Sequence, residues 1–144
     1  MTDHTTARTA PTTTSTGTTN FTKWDEAPAY GDGAPLPRIA RADVDFAWTG
    51  DLDATGECRY IFRYGPDGAC EVLGFEHVTG TLAGRTGEFA LRHEGTYSGS
   101  GLAIRSTIVP GSGAGELEGI TGSGTVEAGP GEETCRWTLE HTIP

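Results

Sequence analysis

Three polar residues that fall in the apolar phase of predicted strands are the best candidates for chemistry: Glu76, His93 and Ser106. A carboxylate held among apolar side chains can act as a general acid or base. With His93 and Ser106 beside it, the group resembles a proton relay more than a nucleophile triad, because no nucleophile elbow surrounds Ser106. We predict Glu76 and His93 as catalytic residues. The alternatives are a carboxylate at the rim of the fold and a histidine satisfied within the core.

Aromatic side chains share this inward phase and are predicted to shape a cup for an apolar substrate, although ordinary core packing would use the same residues. Metal chemistry is not expected, because the remaining histidines, His4, His77 and His141, have no partner at ligand spacing. The predicted substrate-binding residues are Trp24, Phe46, Trp48, Tyr60, Phe62, Tyr64, Ser106 and Trp137.

The elements that position these residues are predicted to be antiparallel strands. From residue 39 onward apolar and polar side chains alternate with a period of two, and no window has the apolar spacing of a helix. About eight such strands follow one another with short connections, and closure into an up-and-down barrel would remove their exposed edges. The interior of an eight-stranded barrel is either filled by side chains or holds one small ligand.

Residues 65–69, Gly-Pro-Asp-Gly-Ala, suit a three-residue hairpin loop with a type I turn and a left-handed glycine. This turn sets Gly65 opposite Ala69 and therefore Cys58 opposite Glu76. The same register separates Cys58 from Cys70 along the sheet by too great a distance for a disulfide. With Cys135 the chain has three cysteines in no metal-binding or redox spacing, so we expect free, reduced thiols.

A second turn at residues 98–101, Ser-Gly-Ser-Gly, suits a two-residue type II′ hairpin with Gly99 at its first central position. This turn pairs His93 with Ser106. If the strands on either side of the 80–87 connection also pair, Glu76 becomes the diagonal neighbour of His93. The three candidates then form one polar group on three adjacent strands.

A glycine–leucine repeat marks the connections at one end of the sheet. Residues 80–87, Gly-Thr-Leu-Ala-Gly-Arg-Thr-Gly, return at 115–122 as Gly-Glu-Leu-Glu-Gly-Ile-Thr-Gly, with a shorter form at 50–56. Glycines around one leucine suit a connection that visits positive φ and plugs the fold with a buried side chain. Residues 110–115 are glycine-rich but lack the lysine and the following helix of a nucleotide loop, so we expect a wide turn there.

The length and charge of the chain limit its class. Its 144 residues and 15.1 kDa allow one domain, placed at residues 18–144 behind a threonine-rich tail predicted to be disordered over 1–17. A net charge of -10 repels nucleic acid and anionic membranes. Neither a signal peptide nor a membrane span is recognisable, which indicates a cytoplasmic protein. Residues 25–38, rich in proline and glycine, are expected to form a long loop that either closes over the barrel as a lid or has no direct function.

The order of motifs resembles a family of small bacterial proteins classed only as a domain of unknown function, DUF3224, over residues 18–144. That family is similar in fold to the allene oxide cyclase-type barrel, an eight-stranded cup related in shape to lipocalins. The motifs that carry the resemblance are Trp24-Asp25-Glu26, Gly50-Asp-Leu52, Gly65-Pro-Asp-Gly68, Gly74-Phe-Glu76, Gly80-Thr-Leu82-Ala-Gly84-Arg-Thr-Gly87, Leu91-Arg-His93-Glu-Gly95 and Val109-Pro-Gly-Ser-Gly113-Ala-Gly-Glu-Leu117.

The resemblance implies a cofactor-independent cyclase or isomerase that folds a small hydrophobic metabolite inside the barrel, as natural-product cyclases of this shape do. Allene oxide cyclases hold the substrate rigidly while one glutamate stabilises developing positive charge. Glu76 is assigned that role by strand register, since no motif aligns it with the cyclase glutamate. The alternatives are a lipocalin-like binding protein without catalysis, and a filled barrel acting through its surface. Barrels of this shape form dimers and trimers, which leaves a homo-oligomer open.

Overall fold

The computed structural model describes residues 10–29, 31 and 33–144, so residues 1–9 of the predicted tail lie outside the described part. The described chain folds entirely into strands and their connections. The strands are β1 (Thr13–Ala27), β2 (Arg38–Gly50), β3 (Leu52–Tyr64), β4 (Cys70–Leu82), β5 (Arg85–Ser98), β6 (Gly101–Ile108), β7 (Ala114–Gly115), β8 (Thr121–Ala128) and β9 (Cys135–Thr142).

All nine strands belong to one antiparallel sheet in the order β4-β3-β2-β1-β9-β8-β6-β5-β7. An additional pairing between β4 and β5 closes eight of them into a barrel, while the two-residue strand β7 lies against the start of β5. The predicted all-β fold of about eight antiparallel strands is confirmed, and the described residues contain no helix. Closure gives each of the eight strands a partner on both sides, which leaves the ring without an open edge.

Both predicted hairpin registers are confirmed. The Gly65 N–H donates to the Ala69 carbonyl at 2.8 Å, and Cys58 lies opposite Glu76. At the second hairpin His93 lies opposite Ser106. The predicted type II′ turn is wrong, because positive φ falls at Gly101 (106°) and not at the first central position of the turn.

Strand β1 begins at Thr13, before the predicted start of the domain at residue 18. Residues 13–17 therefore belong to the barrel and not to the tail. Threonine is β-branched and suits a strand, and this segment pairs with β9 while Gly17 also pairs with β2. Ser15 is buried in the interior. The low hydrophobicity of residues 13–17, on which the prediction of disorder rested, does not prevent them from forming a strand, because the neighbouring strands supply partners for their backbone hydrogen bonds.

The segment predicted as a long loop over residues 25–38 is shorter than expected. Strand β1 continues to Ala27 and β2 begins at Arg38, so the connection spans residues 28–37, of which Tyr30 and Asp32 lie outside the described residues. Ala29, near its start, lines the interior opening described below. The connection therefore contributes to the lip of the barrel.

The glycine–leucine repeat closes the opposite end of the barrel. Leu52, Leu82 and Leu117 are each no more than 1% exposed. Glycines with positive φ turn the chain beside each leucine, for example Gly84 at 82°. Ile120 is fully buried with them, so the repeat forms an apolar plug, as predicted. The glycine-rich residues 110–115 make turns that lead into β7 rather than into a helix.

The three cysteines are free, with Cys58 and Cys70 buried and Cys135 half-buried. Within the described residues no helix is long and apolar enough to cross a membrane.

The contribution of the plug can be measured with two substitutions on one strand. Leu82→Ala should lower the free energy of unfolding by about 2–5 kcal/mol, because it removes a fully buried side chain and leaves a cavity. Leu73→Ala makes the same chemical change on the outer face of β4, where the side chain is 45% exposed, and should cost no more than about 0.5 kcal/mol. Urea denaturation followed by tryptophan fluorescence compares them, and equal losses would contradict the plug.

Candidate functional site

The barrel interior opens at one end into a cavity of about 930 Å³, which we call the cup. This volume lies in the range of small-molecule sites. The sequence left open a barrel whose interior is completely filled by side chains. A cavity of this size is inconsistent with that alternative. The cup is lined by Phe21, Trp24, Asp25, Glu26, Ala29, Phe46, Tyr60, Phe62, Tyr64, Gly68, Cys70, Val72, Tyr97, Leu102, Ile104, Ala128, Gly131, Glu132, Glu133 and Cys135.

The predicted substrate-binding residues divide between the two halves of the interior. Those that line the cup are Trp24, Phe46, Tyr60, Phe62 and Tyr64. The other three, Trp48, Ser106 and Trp137, instead surround a void of about 10 Å³ in the closed half. Such a void holds at most about one water molecule. Five of the eight predicted residues therefore lie in the walls of the cup, and three lie in the packed core beneath it.

The aromatic walls form a continuous stack. The rings of Trp24 and Phe62 are parallel, with centroids 5.8 Å apart and an interplanar angle of 9°. Phe21 packs against Trp24 edge to face at 5.3 Å, and Tyr60 stacks on Phe62 at 5.3 Å. Offset-stacked and edge-to-face pairs stabilise each other through their quadrupoles. The rings are therefore held in place before a ligand arrives.

A bulge in β1 brings both Phe21 and Trp24 to the cup. The register of β1 against β2 shifts between Phe21 and Lys23, so the strict alternation of inward and outward side chains is broken there. Beyond the bulge, Trp24 lies opposite Val44 and Glu26 opposite Ala42, two inward positions. Strict alternation from Phe21 would have turned Glu26 outward. Glu26 was not among the predicted site residues for this reason and because residues 25–38 were expected to form a loop.

Glu26 is the most enclosed charged side chain of the cup, with 6% of its side chain exposed. Arg38 Nη2 donates to its Oε2 at 3.1 Å, and the Tyr64 hydroxyl donates to the same oxygen at 2.7 Å. Trp24 Nε1 donates to Oε1 at 3.2 Å. Burial, followed by the hydrogen bond to Glu26, raises the pKa of Tyr64 above its ordinary value, so this phenol stays protonated.

Glu76 and His93 lie below the cup and are not among the residues that line it. His93 Nε2 donates to Glu76 Oε1 at 2.8 Å, His93 Nδ1 pairs with Ser106 Oγ at 2.7 Å, and Trp48 Nε1 donates to Glu76 Oε2 at 2.7 Å. These four residues, here called the Glu76 network, span strands β2, β4, β5 and β6. The side chains of Glu76 and His93 are 0% and 2% exposed. The predicted polar group therefore forms, with Trp48 as a fourth member.

Gly56 makes room for the Glu76 carboxylate. A Cβ at this position on β3 would meet Glu76 Oε2 at 1.8 Å, which no side chain could tolerate without displacing the carboxylate. The glycine in the short form of the sequence repeat thus lets Glu76 cross the neighbouring strand toward Trp48. Part of the repeat serves the network as well as the turn.

Tyr60 is the contact between the cup and the Glu76 network. Its ring lines the cup and lies 6.1 Å from the His93 ring, and the Cys58 thiol on the same strand is a close electrostatic neighbour of its hydroxyl. Burial, and then the negative charge of Glu76, raise the pKa of Cys58. Burial and the nearby Cys58 and Glu76 likewise raise the pKa of Tyr60. Both groups therefore stay protonated, which makes them poor nucleophiles.

Cys58, Glu76 and His93 place three donor atoms within 4.8 Å of one another, a distance that could suit a metal ion. Burial raises the pKa of the Cys58 thiol, and a thiol binds zinc as a thiolate, so metal binding here would have to release that proton. The carboxylate oxygens of Glu76 already accept hydrogen bonds from His93 and Trp48. The arrangement is suited to holding four strands in register.

A second buried histidine–serine pair lies near the closed end. Ser15 Oγ and His141 Nε2 are 2.8 Å apart, and both residues are no more than 3% exposed. Burial lowers the pKa of His141, which keeps the imidazole neutral. His141 had no predicted partner because Ser15 was expected to lie in the tail.

Comparison with known proteins identifies relatives of unknown function. The sequence model of a family described as "Protein of unknown function (DUF3224)" matches residues 15–141. A crystal structure of a DUF3224 protein of unknown function from Shewanella oneidensis MR-1 is similar, with 25% identity and a TM-score of 0.76 over 93% of this chain and 99% of that chain. No curated protein matches the chain.

Removing the central carboxylate tests whether the network stabilises the fold. Glu76→Ala should lower the free energy of unfolding by about 3–5 kcal/mol, because His93 and Trp48 lose their buried acceptor. Glu76→Gln should cost less, since the amide oxygen still accepts one hydrogen bond. The matched control is Glu57→Ala on the outer face of β3, expected within about 0.5 kcal/mol of wild type. An equal loss for Glu76→Ala and Glu57→Ala in urea denaturation would contradict a stabilising network.

Proposed function

The chain belongs to the DUF3224 family, and we propose that it is a small-molecule-binding barrel that holds a mainly apolar ligand in the cup. The observation that carries this proposal is the open cavity of about 930 Å³ with preformed aromatic walls. Ligand sites are typically concave, mostly apolar and largely formed before the ligand arrives. The cup meets each of these conditions.

The Glu76 network supports binding over catalysis within the network itself. A catalytic acid or base must come within hydrogen-bond reach of the reacting atoms. Glu76 and His93 are almost completely buried, and each bonds to protein partners at 2.7–2.8 Å. A ligand in the cup meets Tyr60 before it meets either group. The role that best suits the network is to keep the floor of the cup rigid.

Cyclisation or isomerisation of the bound molecule is a second candidate, favoured by Glu26. Its carboxylate lines the cup, where it could stabilise positive charge that develops on a substrate. This role, expected of Glu76 from the sequence, would then fall to Glu26. The arrangement needs no cofactor, because the aromatic walls control conformation and the carboxylate supplies the charge.

Partly filling the cup should weaken binding. Leu102 lines the cup, while the adjacent Ala103 faces solvent from the same strand. Leu102→Trp should weaken binding of the neutral probe N-phenyl-1-naphthylamine by roughly tenfold or more, equivalent to at least about 1.4 kcal/mol. Ala103→Trp adds an indole to the outer face and should leave affinity unchanged. Titration calorimetry measures both, and equal affinity of Leu102→Trp and wild type would contradict binding in the cup.

A test for catalytic turnover distinguishes binding alone from catalysed isomerisation. The molecule released on denaturing protein purified from its own host is incubated with fresh protein and chromatographed for an isomer of equal mass. Binding alone predicts no new isomer. Catalysis predicts one, and Glu26→Gln should then reduce its rate by roughly a hundredfold, the scale of one electrostatic contact, while Glu140→Gln on the outer surface leaves the rate unchanged. An isomer formed equally fast by Glu26→Gln would exclude Glu26.

A further inference from the structure

We propose that the cup selects a cationic ligand, an amine or quaternary ammonium on an apolar body, over neutral and anionic molecules of the same shape. This inference rests on the proposed function, since it names the class of molecule that the cup takes. It places the apolar body against the aromatic walls and the cationic group among the carboxylates of the cup.

The charged side chains of the cup all have one sign. Four of the residues that line it are acidic: Glu26 faces the interior, while Asp25, on the outer face of β1, and Glu132 and Glu133 are exposed at the lip. None of the lining residues is lysine, arginine or histidine. A ligand with a negative group would therefore bring it toward carboxylates without meeting a cation on the cavity wall. A positive group meets charge of the opposite sign.

Neighbouring arginines offset half of this acidic charge. Arg38 forms an ion pair with Glu26 at 3.1 Å, and Arg136 forms one with Glu132 at 3.1 Å. The other two carboxylates of the cup have no such pair among the described residues. Two unpaired negative charges thus remain at the lip of the cup, in a chain whose net charge is -10.

A thiol in the same wall lies in this negative environment. Cys70 lines the cup, and its pKa is raised to about 11 by burial and then by the charges of Glu26 and Glu71.

The aromatic walls attract cations independently of the carboxylates. The face of an aromatic ring is electronegative, and a cation within about 6 Å of its centre is stabilised, most strongly over tryptophan. The protein already uses this contact, because the Arg38 guanidinium lies 4.9 Å from the centre of the Tyr64 ring. Trp24, 44% exposed beside the acidic residues, presents a second such ring to a ligand.

Three probes with one ten-carbon chain test the selection: decyltrimethylammonium, decanol and decanoate. Each is titrated into the full-length protein at neutral pH and low ionic strength, below its micelle concentration, with heat as the readout. The cation should bind roughly tenfold more tightly than decanol, within the range expected of a cation–π contact and nearby carboxylates. Decanoate should bind more weakly than decanol. Added salt should reduce the advantage of the cation, because exposed charges are screened.

A matched pair of double variants locates the selection at the cup. Asp25→Asn with Glu133→Gln should reduce the cation's advantage over decanol by several-fold, while the affinity for decanol stays the same. Asp53→Asn with Glu140→Gln removes the same charge from the outer surface of β3 and β9 and should leave the advantage unchanged. Thermal denaturation of each variant confirms that it is folded before titration.

The outcomes distinguish this inference from the proposed function. If decanol or decanoate binds as tightly as the cation, the cup binds ligands but does not select cations, and the inference is overturned. An equal loss of cation preference in both double variants overturns it as well, because net charge alone would account for the preference. If none of the probes binds to wild type, the proposed binding function itself fails. A cation preference lost only in the cup variant supports both.

Discussion

A buried carboxylate has to be fully hydrogen-bonded, and this requirement on Glu76 organises the interior of the barrel. Its two oxygens take hydrogen bonds from Trp48 on β2 and His93 on β5, and His93 in turn bonds to Ser106 on β6. The network can form only when these strands hold one register around β4. A register slip of one residue would turn each of these side chains outward. Closure of the barrel and satisfaction of Glu76 therefore depend on each other.

The network also divides the interior into two parts with different tasks. Below it, the leucines of the glycine–leucine repeat and the two buried tryptophans fill the barrel to a void of about 10 Å³. Above it, small residues and aromatic rings leave a cavity of about 930 Å³. The buried polar side chains of the Glu76 network lie at the boundary between the two parts, and the solvent-accessible charged side chains lie around the opening of the cup. The fold thus separates the residues that stabilise the protein, in the closed half and the network, from the residues of the cup that a ligand can contact.

The sequence predicted most of the barrel, because its turns carry explicit chemistry. The glycine at position 68 and the pairing it imposes placed Glu76 correctly, and the second hairpin placed His93 beside it. Three features escaped prediction. Strand β1 begins within a threonine tract whose pairing partners are distant in sequence. The bulge after Phe21 changes which side chains face inward, and no residue pattern announces it. The depth of each aromatic residue, and hence whether it faces the cup or the core, depends on how all eight strands stagger on closure.

The three tryptophans allow the most direct test of this division. Their indole N–H groups report different regions: Trp24 donates to Glu26 in the cup, Trp48 to Glu76 in the network, and Trp137 to the carbonyls of Thr18 and Thr49 in the closed half. A nitrogen–proton correlation spectrum recorded during titration with decyltrimethylammonium follows all three signals at once. Binding in the cup predicts a large, saturable shift of the Trp24 signal and small changes at Trp48 and Trp137. Large shifts at Trp48 or Trp137 with an unmoved Trp24 signal would show that the ligand enters the closed half, and would contradict a division of the interior into a cup and a packed core.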